Sequence, residues 1–414
     1  MTEPVASANS VELIERSWLD AKATQTLIAA LDCAGIVFRF VGGAVRDGLL
    51  GRPVADVDVA TPARPDLVIK AVEGAGLKAI PTGIAHGTVT AVVERRHFEI
   101  TTLRRDVETD GRHAVVAFTD DWRQDASRRD FTMNALYADR EGTITDFFGG
   151  VADAQAGRVR FIGDPEKRIV EDALRILRFF RFHAWYGCGA LDSEGLAACT
   201  RLAGMIDRLS GERLQIEIFK TLRAPAAAPV WQAMIDAGVM AHAAPALTRV
   251  DDLSRLVAIE GELGMAADPL RRLAALTGPL SSESVDALKK RLRLSNRNES
   301  HLLSLDRVED RMPLISSHAF GQAIYGLRAD WVWDAAILAH VRSGKPEMAA
   351  LAALCRFIAD WVQPKFPLSG ADLQSAGIVP GPDLGRLLTD LERWWVAADF
   401  KPDRAACLAR LKCI

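Results

Sequence analysis

The chain has 414 residues, 49% of them hydrophobic, with 51 Lys and Arg against 54 Asp and Glu. That balance excludes a disordered, collagen-like or coiled-coil protein, and at about 100–200 residues per domain the length predicts two to four domains. A net charge of −3 means that the surface as a whole does not attract polyanions, so a nucleic-acid partner has to be held by a local basic face.

The first 22 residues read as an extension ahead of the first domain. Acidic residues Glu3, Glu12, Glu15 and Asp20 leave no apolar signal-peptide core there, and no later run approaches the ~18 apolar residues of a membrane span. Cys33, Cys188, Cys199, Cys355, Cys407 and Cys413 show neither CxxC nor paired spacing, which argues against a zinc ribbon or a disulfide framework. A cytoplasmic protein with no membrane partner is expected.

Over residues 23–157 short β-like runs alternate with helical patterns: Val37 to Val41, Val57 to Ala60, Val89 to Val93 and Phe98 to Thr102. Asp106 to Trp122 reads as a long polar loop around Asp110-Gly111-Arg112. From residue 158 onward almost everything is amphipathic helix. The fold class is therefore α+β: a mixed head at 23–157, then a helical neck at 158–225, a helical body at 226–329 and a helical tail at 330–414.

Within the head, Val41-Gly42-Gly43-Ala44-Val45-Arg46-Asp47 follows a strand and opens a helix. Glycines there let the backbone approach a ligand, and helix-start N–H groups suit phosphate, with Arg46 one turn in; a plain tight turn fits the same pattern. Asp56-Val57-Asp58 puts two carboxylates on one face of a strand, where a divalent cation or plain solvation relieves the repulsion. Glu99, between Phe98 and Ile100 on another strand, is either a third acid of that site or a solvent-facing residue.

These residues carry a resemblance. Gly42 to Asp47, Leu50-Gly51, Asp56-Val57-Asp58 and Thr61 resemble the signature of the DNA polymerase β superfamily of nucleotidyltransferases. With Thr82-Gly83-Ile84-Ala85-His86-Gly87-Thr88 and Arg128-Arg129-Asp130-Phe131-Thr132-Met133-Asn134-Ala135, the head is similar to the bacterial tRNA nucleotidyltransferase and poly(A) polymerase family. The resemblance implies a polymerase β-like head with a small mixed or antiparallel sheet and transfer of a nucleoside monophosphate to an RNA 3′-hydroxyl. It also implies two Mg²⁺ ions on Asp56 and Asp58 and nucleotide contacts from Gly43, Arg46 and Arg129; Glu99, from its strand position, is expected as the third catalytic acid.

Asp164 to Trp185 predicts one helix, with Asp164 as N-cap and Pro165 at its first position. Ile169, Val170, Ala173, Ile176, Leu177, Phe180 and Ala184 form an apolar arc. Opposite it, Asp172, Arg175, Arg178 and Arg181 recur every three residues, a pattern open to a solvated ion-pair face and to a ligand face alike. Glu171-Asp172-Ala173-Leu174-Arg175 with Arg178 and Arg181 is similar to the family's nucleotide-selecting helix. Cytosine and adenine share an exocyclic amino donor beside a ring-nitrogen acceptor, so a carboxylate at Asp172 and a guanidinium at Arg175 accept both and mismatch uracil and guanine. Arg178 and Arg181 would face phosphates or RNA, and Arg213 and Glu217, one turn apart, would brace the helix.

By resemblance the polar 106–122 stretch is the flexible loop needed to pass from C to A addition, and the Pro367 to Trp395 segment approaches the RNA backbone. Trp331, Trp333, Trp361, Trp394 and Trp395 sit in Leu- and Ala-rich sequence, which favours core packing over base stacking. No His-Asp dipeptide occurs, so no appended phosphohydrolase is expected, and the absence of a basic extension favours a tRNA enzyme over a poly(A) polymerase. The expectation is CCA addition to the tRNA 3′ end from CTP and ATP. Partial addition, poly(A) synthesis and RNA binding on a silent scaffold are its alternatives.

Overall fold

The computed structural model describes residues 11–110, 113–277, 281–308 and 311–411, which divide after Pro245 into two compact units. Among the described residues the strands are β1 Arg39–Val41, β2 Val57–Thr61, β3 Lys78–Gly83, β4 Thr88–Val93, β5 Arg96–Thr102, β6 Arg104–Asp110, β7 His113–Phe118, β8 Leu136–Ala138 and β9 Ile144–Asp146. Seven form one mixed sheet in the order β3-β4-β5-β2-β1-β8-β9. Only β2 and β5 run parallel; the other pairings are antiparallel.

Strand alternation sorts this sheet into two unlike faces. Phe40, Val57, Val59, Val89, Ala91, Phe98 and Ile100 are buried on the face covered by the helices Lys22–Cys33 and Pro65–Gly74. Each large aliphatic or aromatic side chain so buried contributes about 1.5–3 kcal/mol. On the other face Val41, Ala60, Leu103, Ala126, Ala135, Tyr137 and Ile162 make a second core, with Trp122, Phe147 and Phe148 packed against it. Asp58 and Glu99 stand on that second face beyond the edge of its core, exposed.

Two expectations are corrected. The stretch from Asp106, expected as a loop, is largely strand, because β6 pairs antiparallel with β7 from Arg104 and Phe118 to Asp110 and His113. The signal was present in Val115, Val116 and Phe118 following an Asp-Gly pair, a hairpin-turn dipeptide; Gly111 and Arg112 themselves lie outside the described residues. The single neck helix is two helices, Pro165–Glu171 and Leu174–Tyr186, because Asp172 between them is extended at φ −153°, ψ 105°.

Asp164 caps the first of these helices through the N–H groups of Glu166 and Lys167. Asp172 opens the second, its Oδ1 accepting from the Leu174 N–H at 3.1 Å, a local bond that competes with helix continuation. The break resets the helical phase. Val170, placed on the apolar arc by periodicity, is 60% exposed, whereas Phe179 and Phe182, placed on the polar arc, are buried. Both rings pack on Phe131 of the head, at centroid distances of 6.4 and 5.2 Å.

In the second unit the described residues are helical. Trp333 and Trp395 are buried, and Trp331, Trp361 and Trp394 are half-buried against His301, Phe357 and Arg410. Among the described residues no helix is long and apolar enough to cross a membrane.

Candidate active site

β1 ends at Val41, and the chain turns through Gly42 into the helix Gly43–Leu49. Gly42 has φ 73° and ψ −124°, and a Cβ there would lie 3.5 Å from Nη1 of Arg129; this conformation is open to glycine and strained for other residues. Gly43 starts the helix beside it, half-buried. Arg46, expected to contact nucleotide, faces inward at 6% exposure. Four of its five N–H donors are taken, two by Asp47 at 3.0 and 3.1 Å, one by Asn134 at 2.5 Å and one by the Tyr186 hydroxyl at 2.7 Å. Arg46 thus braces the glycine turn against the neck helix, and one Nη1 hydrogen is left over by these bonds.

Asp56 immediately precedes β2 and Asp58 is its second residue, both exposed, with Val57 and Val59 buried on the opposite side. Across the parallel pairing Asp58 is in register with Glu99 of β5, and on its other flank with Val41 of β1. Register partners share a face, so the Asp58 and Glu99 carboxylates stand side by side, and Asp56, just ahead of β2, is near enough for its charge to act on Asp58. The Asp58 carboxyl is pushed up to about 6 by the density of protein around it, then by the charges of Glu99 and Asp56, with Arg129 opposing. Among the described residues no three His, Cys, Asp or Glu side chains gather closely enough to cage a metal on their own. The adjacent acids instead suit a hard cation that completes its shell with substrate oxygens.

Arg129 lies on the Gly42 side of these acids. Its Nη2 donates to Asp125 Oδ2 at 3.2 Å and its guanidinium stands 5.5 Å from the centre of the Tyr137 ring. Asp125 is 1% exposed and accepts the Tyr137 hydroxyl at 2.7 Å. Burial raises its pKa, but Arg129, Arg128 and the Tyr137 hydroxyl outweigh this and hold it below the ordinary carboxylate value. The Arg129 Nε–H is buried and finds no acceptor among the described residues, and the charge of its guanidinium acts on Asp58.

The segment Arg128 to Asp130 joins this end of the sheet to the neck. Arg168 is 8% exposed and donates to the carbonyl oxygens of Arg129, at 2.7 Å, and of Arg128. Asp130 accepts Arg178 Nε at 2.7 Å, Asn134 Nδ2 at 2.9 Å and the Phe131 N–H at 2.9 Å. On the neck helix itself Arg175 Nη1 donates to Glu171 at 2.5 Å and to the Arg168 carbonyl at 2.7 Å, and Nη2 to the Arg128 carbonyl at 3.3 Å. From the helix Gly211–Leu222, Arg213 holds Asp172 at 2.7 and 3.0 Å, and Glu217 holds Arg181 at 2.5 Å.

The structure therefore gathers Asp56, Asp58, Glu99, Gly43 and Arg129 at one end of the head sheet. Asp172, Arg175, Arg178 and Arg181 stand on the neck, each fixed by an ion pair. These pairs do not exhaust them: one lone-pair site of Asp172, and the Nε–H and one Nη2 hydrogen of Arg175, have no partner among the described residues. Sequence reasoning found the bracing positions Arg213 and Glu217 but gave no role to Asp125, Asp130, Arg168 or Glu171. Their signal was an acid among arginines, legible only once a partner is known.

Comparison with known proteins accords with this geometry. Residues 38–160 match the family model described as the poly A polymerase head domain, and residues 190–250 that of a probable RNA and SrmB binding site of polymerase A. The chain is 35% identical over 391 residues to the mitochondrial CCA tRNA nucleotidyltransferase 1 of Mus musculus, covering 90% of this chain and 86% of that protein. The chain belongs to the CCA tRNA nucleotidyltransferase family. It is also 30% identical over 387 residues to the CCA-adding enzyme of Levilactobacillus brevis, covering 92% of this chain and 95% of that one. A crystal structure of the Bacillus stearothermophilus CCA-adding enzyme in complex with CTP superposes with a TM-score of 0.79 at 28% identity, covering 94% of this chain and 96% of that one. Members of this nucleotidyltransferase family generally need divalent metal ions.

Proposed function

We propose that the chain builds or repairs the 3′-terminal CCA of tRNA, taking CTP and ATP as substrates and using no nucleic-acid template. The observation that carries this reading is the single framework running from the acidic end of the sheet, through Arg128 to Asp130, to the carboxylate and guanidinium of Asp172 and Arg175. The names of the relatives at 30 to 35% identity support it. The setting we assign is the cytoplasm.

Asp56 and Asp58 are the residues that would hold divalent metal, and we take it to be Mg²⁺. Their concentration of negative charge fits such an ion, and Glu99 adds to it from the neighbouring strand. When bound, two such ions supply acidification of the RNA 3′-hydroxyl and charge neutralisation on the departing pyrophosphate.

The protein's own part is positioning and charge. The Gly42 turn and Gly43 bring main chain to the triphosphate, and Arg129 meets it with its guanidinium, whose Nε–H has no acceptor among the described residues. Asp172 accepts from the exocyclic amino group of C or A, and Arg175 donates to the ring nitrogen beside it. Uracil and guanine place donor against donor and acceptor against acceptor, which a water-poor site penalises heavily. Arg213 and Glu171 keep this pair from collapsing onto each other when no base is bound. Arg178 and Arg181 add positive charge along the same helix toward phosphate.

The test uses tRNA transcripts lacking CCA, lacking CA, lacking only the final A, and complete, each with Mg²⁺ and one labelled triphosphate at a time. Sequential addition of C, C and A that stops at the terminal A is the expected result. Open-ended A addition reassigns the chain to poly(A) synthesis, and no incorporation leaves an RNA-binding protein with a silent site.

A further inference from the structure

On the acid-bearing face, the sheet next to Glu99 is paved with threonine. Asp58 of β2, Glu99 of β5 and Thr90 of β4 are in register across adjacent strands, spaced about 5 Å apart. Thr82 of β3 extends the row, its Oγ1 2.8 Å from that of Thr90. In the next row Thr101 and Thr88 are register partners with hydroxyls 3.1 Å apart.

Thr82 reaches this row through an irregularity. β3 pairs Ile80 with Thr90 but Gly83 with Thr88, so three residues are spanned on β3 against two on β4. Regular pairing onward from Ile80 and Thr90 would bring Thr82 opposite Thr88. The extra residue turns Thr82 onto Thr90 instead, and Pro81, which has no N–H to pair, sits inside the bulge. Bulges beside active sites re-aim side chains in this way.

We infer that this threonine row receives the 3′-terminal ribose of the acceptor RNA, with the Thr82 and Thr90 hydroxyls as hydrogen-bond partners of its 2′-hydroxyl. The inference rests on the nucleotidyltransferase reading above. In-line displacement puts the attacking hydroxyl opposite the leaving pyrophosphate. Arg129 and the Gly42 turn take the triphosphate on the β1 side of Asp58, so the acceptor enters from the β5 side, over Glu99 and β4. The chemistry of the row agrees: Thr82, Thr88, Thr90, Thr101 and Glu99 offer hydroxyls and a carboxylate but no cation, which suits a neutral sugar and not a phosphate. A threonine hydroxyl both donates and accepts, as does the 2′-hydroxyl that distinguishes RNA from DNA. Thr82 is exposed and so accessible, while Thr90 is 6% exposed and fixes its orientation.

The experiment compares A addition onto two tRNAs lacking only the final A, one ending in cytidine and one in 2′-deoxycytidine, both with a free 3′-hydroxyl. Wild-type protein is expected to prefer the ribose terminus in kcat/KM by about three- to tenfold, the worth of one hydrogen bond. Thr82→Val is expected to bring the ratio close to one by slowing the ribose acceptor alone. Thr82→Ser, which retains the hydroxyl, keeps the preference. A wild-type ratio of one, or a Thr82→Val ratio equal to wild type, overturns the inference and leaves the threonines as ordinary cross-strand pairs. Failure of the wild type to add A to the ribose acceptor at all overturns the underlying enzymatic reading instead. Thr82→Ala repeats the deletion with a smaller side chain should valine disturb the bulge.

Discussion

Asp130 is a single buried side chain through which the head holds the neck helix. It is 8% exposed, with one oxygen shared between the Phe131 N–H and the Asn134 amide and the other gripped by the Arg178 guanidinium. In Asp130→Asn the first oxygen survives, but the second becomes an amino group facing a cation. Removing one partner of a buried ion pair costs about 3–5 kcal/mol. The Arg178 side chain retains 30% of its exposure, so water recovers part of this and about 2–3 kcal/mol is expected.

For a unit of this size that loss lowers Tm by roughly 5–10 °C, measurable by calorimetry or by urea titration. A double-mutant cycle with Arg178→Met should return a coupling of about 2 kcal/mol. The pH dependence has a definite sign. Burial raises the Asp130 carboxyl, but Arg178, Asn134 and the Phe131 N–H outweigh burial and hold it below its ordinary value. Its contribution is therefore complete above the unfolded carboxylate pKa of about 3.9 and is lost as pH falls through the lower folded value. The gap between wild type and Asp130→Asn should be constant near neutrality and close below about pH 4. A variant within about 0.5 kcal/mol of wild type at pH 7, or an additive cycle, would refute this account of the junction.

Further substitutions probe the rest of the site. Asp58→Asn should abolish nucleotide incorporation while shifting Tm by no more than about 2 °C, because it relieves repulsion from Glu99 and Asp56; retention of most of the rate would remove Asp58 from the chemistry. Arg213→Ala releases Asp172, whose side chain is 26% exposed, and should cost about 1–2 kcal/mol of stability and raise KM for CTP and ATP together by roughly tenfold. An unchanged KM would make Arg213 purely structural. Gly42→Ala places a Cβ at φ 73°, costs about 1–2 kcal/mol and crowds Arg129, so turnover should fall more than stability explains. Chelation of divalent metal should stop incorporation, with recovery on adding Mg²⁺; activity that persists in excess chelator would contradict the role given to Asp56 and Asp58.

What could be read in advance from the residues follows from the range of the forces involved. The paired acids Asp56 and Asp58 at the start of β2 were legible because strand alternation is local, and the caps at Asp164 and Pro165 because they answer to the first helical turn. The inward turn of Arg46 was not, since its partners Asn134 and Tyr186 lie 88 and 140 residues away in the chain. For the same reason the periodicity of the neck misplaced Val170 and Phe182. The extended backbone at Asp172 interrupts the helix, and the ring contacts with Phe131 decide which face is buried. Strands β8 and β9, of three residues each, are too short for an alternation pattern to register.

The claim that side chains choose the base is tested most directly by incubating tRNA lacking CCA with all four triphosphates together and sequencing the 3′ ends made by wild type and by Arg175→Ala. The account predicts CCA ends from wild type. Arg175→Ala should give slower extension with U and G admitted, because the donor that matches the ring nitrogen of C and A is gone. Ends of unchanged sequence from Arg175→Ala would contradict it.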